Sequence, residues 1–367
     1  MAYNRKQRLN DNIKAIETAF ILDREQRTPT ARERLLLERY CGFGGLKCIL
    51  NPARELADAV HWAKSDLELF APTVELHRLI RENNKNESEY KQLMDSLKQS
   101  VLTAFYTPSA VTEALTDVLK EHQIIPEKVL EPSAGIGAFV DSVLDNNPKA
   151  DIMAFEKDLL TGKILRHLHP EQKVRIEGFE KIEKPFNDYF DLAISNIPFG
   201  DVAVFDPSYT AMKGMRALVT RRIHNYFFVK ALDTVRDGGL VAFITSQGVL
   251  NAKNNSAARF MMLYHADLVS AIRLPNNLFT ENANTEVGSD LIILQKNSQK
   301  ESLRGDDNLL DTVYNDENRI PTNNYFLEHP ERIIHTTAKL DTDPFGKPAM
   351  IYTHEDGVEG IAEDLRR

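Results

Sequence analysis

Short apolar runs alternate with amphipathic stretches between about residues 101 and 297. A short apolar run predicts a buried strand, and apolar residues that recur every three or four positions predict a helix. The predicted strands are 128–131, 151–156, 173–177, 190–195, 239–245, 268–274 and 290–296. Amphipathic stretches separate most of them, chiefly 109–120, 138–145, 158–168 and 224–236. Strands that alternate with helices indicate an α/β domain whose sheet is mainly parallel and covered on both faces.

The connector between the last two predicted strands, residues 275–289, has a different pattern. Its sequence, PNNLFTENANTEVGS, shows no clear helical periodicity. Parallel neighbours need a crossover connection, which is usually helical, whereas antiparallel neighbours can be joined by a loop. We therefore expect these two strands to form an antiparallel pair at the edge of the sheet.

The regions on either side of this domain are patterned differently. Residues 1–100 look helical, because Ile13, Ile16 and Phe20 recur at helical spacing. Residues 298–367 are polar and end in GVEGIAEDLRR, which resembles a helix cut short. We expect a helical N-terminal region (1–100), the α/β domain (101–297) and a polar C-terminal extension (298–367) truncated from a longer protein.

Composition narrows the classes of function. The formal net charge of −9 argues against a protein that coats nucleic acid through bulk electrostatics. It does not exclude an enzyme that acts on DNA, because the local field at one cleft decides binding there. No apolar run approaches the about 20 residues that span a bilayer, and the N-terminus lacks the apolar core of a secretory signal. We expect a cytoplasmic protein that does not interact with membranes.

Metal binding is not expected either. Cys41 and Cys48 are the only cysteines, and their spacing fits neither a disulfide framework nor a zinc knuckle. His167 and His169 alone are too sparse for a metal site.

A glycine-rich turn stands between a predicted strand and a predicted helix in VLEPSAGIGAF. Gly135 and Gly137 let the backbone approach a ligand closely, and the following helix offers free amides. Glu156 ends the next strand, 19 residues after Gly137, where an acid can accept hydrogen bonds from ribose hydroxyls. Val140 stands where the dinucleotide fingerprint has its third glycine. An adenosyl ligand without a pyrophosphate, above all S-adenosylmethionine, suits these residues better, although a ligand-free turn is the alternative.

A second candidate site follows the fourth predicted strand in FDLAISNIPFG. An aromatic amine is a poor nucleophile because its lone pair is delocalised into the ring. Acceptors aimed at its hydrogens favour the nucleophilic state, and the amide oxygen of Asn196 and the carbonyl of Ile197 can serve. The ring of Phe199 can stack on a base flipped out of the helix. The alternative is a turn that ends a buried strand.

The chain resembles S-adenosylmethionine-dependent adenine-N6 DNA methyltransferases, which have a Rossmann-like seven-stranded sheet. The resemblance rests on FYTPSAV, LEPSAGIGAF, FEKD, EGFE and SNIPFG. It implies cofactor contacts in the first four segments, from Tyr106, Thr107, Pro108, Glu131, Pro132, Ser133, Ala134, Gly135, Gly137, Phe139, Glu156, Lys157 and either Phe179 or Glu180. It implies a catalytic loop formed by Asn196, Ile197, Pro198 and Phe199.

The usual catalytic motif of that family is Asn-Pro-Pro-(Phe/Tyr), and here Ile197 replaces the first proline. If that residue contributes only its carbonyl, isoleucine serves, and Pro198 still biases Ile197 toward an extended backbone. NIPFG, IHNYFFVKALDTVRDGG and EVGSDLIILQK further resemble the methylase domain of large methylase–helicase proteins of conjugative elements and phages. In those proteins an apolar residue at this position is not unusual, and a helicase region would lie downstream.

The leading hypothesis is methyl transfer to the N6 amine of an adenine flipped from duplex DNA. Alternatives are methylation of RNA adenine or protein glutamine, or a silent DNA- and cofactor-binding module of a larger helicase-containing machine. Lys213, Arg216, Arg221 and Arg222 can neutralise phosphates or simply face solvent. His224 can contact the base or, as we favour, play a structural part.

Overall fold

The computed structural model describes residues 4–103, 106–212, 214–280, 286–303, 305, 307–314, 320–343 and 346–367. The strands are β1 (Lys128–Glu131), β2 (Asp151–Phe155), β3 (Lys173–Arg175), β4 (Phe190–Asn196), β5 (Val235–Ser246), β6 (Ala266–Leu274), β7 (Ser289–Lys296), β8 (Thr312–Tyr314), β9 (Pro321–Asn323), β10 (Thr337–Thr342) and β11 (Pro348–Thr353).

The α-helices include the four amphipathic stretches predicted inside the domain, with ends within two residues of the predicted ones. They are α1 (Arg5–Glu25), α2 (Ala31–Leu37), α3 (Phe70–Glu82), α4 (Glu87–Thr103), α5 (Ser109–Glu121), α6 (Ala138–Asn146), α7 (Leu159–Leu168), α8 (Pro207–Thr210), α9 (Met215–Val219), α10 (Ile223–Thr234), α11 (Gly248–Asn251), α12 (Ser256–His265), α13 (Asn324–Glu328) and α14 (Gly357–Leu365).

The first seven strands form one sheet in the order β3-β2-β1-β4-β5-β7-β6. Pairings from β3 to β5 are parallel, whereas β7 is antiparallel to both β5 and β6. The predicted α/β class, the seven strands and the antiparallel edge pair are therefore confirmed. The strand order reverses between β1 and β4, which is the position where open α/β sheets bind their ligands, at the carboxyl ends of the strands.

Apolar side chains of the sheet are shared between two cores, one on each face. On β4, Ala193 belongs to the core that α10 covers, and Leu192 and Ile194 belong to the core that α5 and α6 cover. This alternation is the period-two pattern of a strand buried on both sides. The sheet is therefore rigidly packed where β4 delivers Asn196 to its carboxyl edge.

The N-terminal helices share a third core with α7, to which Leu160, Ile164 and Leu168 contribute. Polar contacts tie the same surfaces together. The hydroxyl of Ser96 donates to Asp158, the N-cap residue of α7, at 2.5 Å. His167 Nε2 lies 2.9 Å from Oδ1 of Asp23. The helical N-terminal region consequently supports the helix that follows the predicted ribose-binding acid.

The C-terminal residues also pack on the central sheet. Helix α14 contacts α5, and Arg366 bonds to Asp117 at 3.1 Å. The N–H of Ile334 donates to the carbonyl of Arg273 in the edge strand β6 at 3.0 Å. The boundaries at residues 100 and 297 stay predictions, with the three regions in close contact.

Two classes of feature are absent from the described part of the chain. No helix there is both long enough and apolar enough to cross a membrane. The described residues also include no group of three or more His, Cys, Asp or Glu side chains that could hold a metal ion.

A buried ion pair fastens the antiparallel edge of the sheet. Arg273 of β6 and Asp290 of β7 are 3% and 0% exposed, and Nε and Nη2 of Arg273 donate to the two carboxylate oxygens at 2.9 and 3.2 Å. The guanidinium also bonds to Asn251 at 3.0 Å and lies 4.2 Å from the ring centre of Phe326. Removing one partner would leave the other charge buried and uncompensated.

We predict that Arg273→Met lowers the free energy of unfolding by about 3–5 kcal/mol, the usual cost of breaking a buried pair. Urea unfolding followed by circular dichroism measures it. The control is Arg236→Met, because Arg236 is over half exposed where it pairs with Asp191, and about 1 kcal/mol or less is expected there. Equal losses in the two variants would contradict this account of the edge.

Candidate active site

The glycine-rich turn after β1 is held by backbone bonds to its neighbours. The N–H of Ala134 donates to the carbonyl of Phe155 at the end of β2, and the N–H of Gly137 to Ala134, both at 2.8 Å. Gly135 has a φ of +56°, and a Cβ there would lie 2.9 Å from the ring of Tyr106. The absence of a side chain at this position is therefore required by both conformation and space.

Glu156 lies beside this turn, as the sequence pattern predicts. Its carboxylate accepts the N–H of Gly135 at 2.8 Å and the N–H of Asp158 at 2.7 Å. Burial, followed by the nearby Asp158 carboxylate, raises the pKa of Glu156 to about 8 despite these bonds. A carboxylate has about four acceptor positions, so capacity remains for a hydroxyl donor of a ligand.

Two further buried oxygen atoms lack a hydrogen-bond partner within the described part of the chain, and a ligand could supply one. Glu131 Oε2, at the end of β1, and Thr107 Oγ1 have no hydrogen-bond partner among the residues that the structure describes. Burial first, and then the carboxylates of Asp141 and Glu156, raise the pKa of Glu131 well above its usual range. An unpaired buried polar atom is costly, so each calls for an explanation. A ligand that carries positive charge and hydrogen-bond donors suits these acceptor oxygens.

The remaining residues of the predicted cofactor segments lie in the turn or in neighbouring elements. The hydroxyl of Tyr106 lies 3.3 Å from that of Thr161 on α7. Pro108 is the N-cap residue of α5, and Phe139, in the first turn of α6, is buried in the core. Pro132 and Ser133 lie in the turn itself.

Phe179 and Glu180 occupy a short 3-10 turn after β3 and differ in burial. Phe179 is buried against the rings of Phe155 and Phe227, with centroids 5.8 and 5.3 Å apart. Glu180 is half-buried, and its carboxylate lies 3.8 Å from the ammonium of the exposed Lys157. Of the two alternatives for contact with an adenine ring, this geometry favours Glu180. Both remain predictions.

The catalytic loop predicted from sequence begins at the carboxyl end of β4. Asn196 is the last residue of β4 and pairs with Ile244 of β5. One residue earlier, the hydroxyl of Ser195 donates to the carbonyl of Ser133 at 3.1 Å. This bond joins the strand that carries Asn196 directly to the glycine-rich turn. Sequence reasoning missed Ser195, although a hydroxyl in an otherwise apolar strand was a signal for it.

The backbone N–H of Ile197 contributes to the pairing of β4 with β5. Its N–H donates to the carbonyl of Ile244 at 3.0 Å, which extends the pairing of β4 and β5 by one residue. Its side chain is buried in the core that α10 covers. Proline lacks the N–H, so isoleucine at this position supplies a bond that the usual motif cannot make here.

Beyond Ile197 the loop is half-buried. Phe199 packs edge-to-face on Phe279, with ring centroids 6.2 Å apart. Pro198 is half-buried, and Gly200 has a φ of +140°. The chain thus turns away from the sheet immediately after the Asn-Ile-Pro-Phe residues.

The basic residues that follow the loop are mostly engaged within the protein. Arg216 forms a two-pronged pair with Asp233 at 2.7 and 3.0 Å, and Arg222 pairs with Asp201 at 2.8 Å. Arg221 is exposed, and Lys213 lies outside the described residues. These pairings leave Arg221 as the described side chain best placed to meet a phosphate.

His224 lies in the first turn of α10, near Asp201 and Arg222. It is buried, and neither ring nitrogen has a hydrogen-bond partner among the described residues. Burial, followed by the charge of Arg222, lowers the pKa of His224 to about 4, so the ring is neutral at pH 7. A purely structural role for His224 stays a prediction.

We predict that Ile197→Pro destabilises the protein instead of restoring an optimal motif. Loss of the N–H leaves the carbonyl of Ile244 without its donor, which costs about 1–3 kcal/mol of unfolding free energy. Urea unfolding measures this cost. Ile197→Val is the control, because it keeps the N–H and removes one methylene, for about 1 kcal/mol. A proline variant as stable as the parent chain would show that the bond to Ile244 does not matter.

Comparison with known proteins bears on this arrangement. Protein B for defense against restriction, from Escherichia phage P1, is 29% identical over 201 residues, which are 53% of this chain and 8% of that protein. The type II methyltransferase M.XamI of Xanthomonas campestris pv. amaranthicola is 25% identical over 173 residues, 44% of this chain and 33% of that protein. The chain thus spans well under half the length of these curated relatives.

Among solved structures, a Listeria monocytogenes protein assigned to the class I S-adenosylmethionine-dependent methyltransferases is 15% identical, with a TM-score of 0.46. The match covers 81% of this chain and 90% of that one. The DNA-bound, ATP-dependent Type ISP restriction-modification enzyme LlaBIII is 13% identical, with a TM-score of 0.44, over 98% of this chain and 27% of that one.

The family comparison covers most of the chain. A family model described as N-6 DNA Methylase matches residues 88–351, from α4 to β11, and so includes the glycine-rich turn and the Asn196 loop. The chain belongs to the N-6 DNA methylase family.

Proposed function

We propose that this chain transfers a methyl group from S-adenosylmethionine to the exocyclic N6 amine of an adenine in DNA, flipped into the Asn-Ile-Pro-Phe site. The observation that carries the proposal is the bond from Ser195 to Ser133, which places the Asn196 loop against the glycine-rich turn. A methyl donor and its acceptor must meet within one cleft, because orientation supplies much of the catalysis.

S-adenosylmethionine is the cofactor of this family of methyltransferases, and it supplies an electrophilic methyl group on a positively charged sulfur. The described residues fit it. The unpartnered oxygen of Glu131 and the carboxyl of Glu156 suit its positive charge and ribose hydroxyls. Gly135 allows the close approach of the backbone, and the hydroxyl of Thr107 is a further buried group without a described partner.

The catalytic loop activates the amine that accepts the methyl group. The amide oxygen of Asn196 and the carbonyl of Ile197 accept hydrogen bonds from the two amine hydrogens, which favours the pyramidal, nucleophilic nitrogen. The bond from the Ile197 N–H to β5 fixes the direction of this backbone segment. Fixed dipoles of this kind stabilise charge that develops in the transition state. The half-buried ring of Phe199 offers a face on which the flipped base stacks.

DNA is the partner that this proposal requires, and a downstream helicase region is proposed for the full-length protein. The restriction-defense name of the phage P1 relative supports a setting of DNA modification. RNA adenine and protein glutamine are the rival acceptors, since a planar amide or amine poses the same chemical problem.

We predict that Asn196→Ala lowers methyl transfer by about 100-fold or more, as loss of one preorganised polar group commonly does. Cofactor affinity, measured by isothermal titration calorimetry, should stay near that of the parent chain. Transfer of tritiated methyl groups to DNA, RNA and protein identifies the acceptor.

Asn187→Ala is the control, because Asn187 is exposed near the opposite end of β4. Unchanged transfer in Asn196→Ala would refute its catalytic role, and a parent chain that methylates nothing would indicate a silent module.

The pH dependence of cofactor binding tests the role of Glu156. Its pKa is raised to about 8, so the free protein holds the carboxyl mostly protonated at pH 7. Ligand hydroxyls donate to the ionised carboxylate, so the affinity for the cofactor should increase as the pH rises from 6.5 and should level off above pH 8. The total increase should be about tenfold for each unit by which binding lowers the pKa of Glu156.

Calorimetric affinities across this pH range should therefore show a slope in the parent chain that is absent from Glu156→Gln. The comparison between the two proteins removes the titration of the ligand itself. Parallel pH profiles in the two proteins would exclude Glu156 as the titrating contact.

A further inference from the structure

The segment 201–222, which leads from the catalytic loop to α10, exposes an unusual number of apolar side chains. Val202 is 61% exposed and Phe205 is 77% exposed. Met212, Met215 and Leu218 are also exposed in the same stretch. Single exposed apolar residues are common, but a group beside a candidate active site marks an interaction surface.

The backbone of this segment is anchored at its base. Asp201 pairs with Arg222 at 2.8 Å, and the N–H of Val204 donates to the carbonyl of Thr220 at 2.8 Å. Arg222 in turn donates to Asn255 at 2.6 Å, in the loop before α12. The two ends of the segment are therefore fastened together beside Gly200, so its exposed side chains keep a fixed position relative to Asn196.

Phe205 in particular is held outward by its neighbour. Asp206 is buried and accepts from the hydroxyl of Tyr226 at 2.7 Å and from the ammonium of Lys230 at 3.1 Å. Val204, on the other side, packs against the core. With both flanking residues fixed inward, the ring of Phe205 projects from an anchored backbone and does not belong to a loose loop.

The charge of the segment suits a polyanion. Residues 201–222 contain four basic and two acidic residues, a formal +2 in a chain of net charge −9. Arg221 is exposed, and no ion pair of Arg221 occurs within the described ranges. Neutralisation of phosphates is the main source of affinity for nucleic acid, so this local excess favours DNA over an apolar protein partner.

We propose that the segment 201–222 opens the DNA duplex at the target adenine, with Phe205, assisted by Val202, entering the base stack. Extrusion of a base costs unstacking and unpairing energy and leaves a gap. Apolar side chains that insert between base steps are a known means of unstacking a duplex. A wedge formed two to five residues beyond Gly200 would fill the gap while Asn196 holds the extruded base. The inference rests on the proposed function and adds to it the residues that make duplex DNA a substrate.

Comparison of duplex with single-stranded DNA isolates this role, because a single strand requires no base pair to be opened. Phe205→Ala in the full chain should lower methylation of duplex DNA by about tenfold or more, equivalent to about 1.4 kcal/mol or more of activation free energy. Methylation of single-stranded DNA of the same sequence should stay within about twofold. Leu56→Ala is the matched control, since Leu56 is an apolar residue 86% exposed in the N-terminal region, and both of its rates should be unchanged.

Reactivity of thymine toward permanganate supplies a readout that does not depend on methyl transfer. Thymines opposite extruded adenines become reactive, so the parent chain should raise their reactivity in duplex DNA and Phe205→Ala should not. Opening without methylation by the parent chain would refute the proposed activity and support the wedge.

Three results would overturn the wedge. They are equal losses on both substrates, no loss on either, and permanganate reactivity that is the same for Phe205→Ala and the parent chain. Unchanged activity on both substrates would assign the exposed surface to another protein segment.

Discussion

The parallel pairing of β1 with β4 is the constraint on which the site depends. Val129 lies opposite Leu192 and Leu130 opposite Ala193, so both strands end at the same edge of the sheet. The glycine-rich turn follows one strand and the Asn196 loop follows the other. The bond from Ser195 to Ser133 then fixes the distance between the two loops. A shift of either strand by one residue would move every side chain of that strand to the opposite face.

A second feature of the site is that two of its acidic side chains are largely shielded from water. The pKa values of Glu131 and Glu156 are both raised, chiefly by burial. Burial therefore favours the neutral form of both carboxyls, and their ionisation in the empty site is costly. Binding of a ligand with positive charge and donors relieves that cost. The N-terminal helices contribute, because Ser96 donates to Asp158, whose own N–H donates to Glu156.

Much of the fold followed from the sequence because buried strands carry a strong local signal. All seven predicted strands of the sheet are present, and the edge pair is antiparallel as expected. The largest difference in bounds is at β5, which begins at Val235 and not at 239. The polar Arg-Asp-Gly-Gly stretch conceals its start, because Val235 pairs with Phe190 across an irregular register that only the fold reveals.

The candidate site was less accessible to prediction, for physical reasons. Motif spacing places residues on a loop but does not state which of two neighbours faces the core, and so Phe179 and Glu180 remained alternatives. The N–H of Ile197 pairs with a carbonyl in β5, a contact between distant parts of the chain. Likewise, the exposure of Phe205 depends on the burial of Asp206, which no local pattern indicates.

The central claim is that one edge of the sheet holds both the cofactor and the amine acceptor. A crystal structure of the chain with S-adenosylhomocysteine tests it most directly. The account predicts ribose hydroxyls on the carboxylate of Glu156 and a sulfur atom that faces the side chain of Asn196. A ligand bound away from the glycine-rich turn, or one whose sulfur faces away from Asn196, would contradict it.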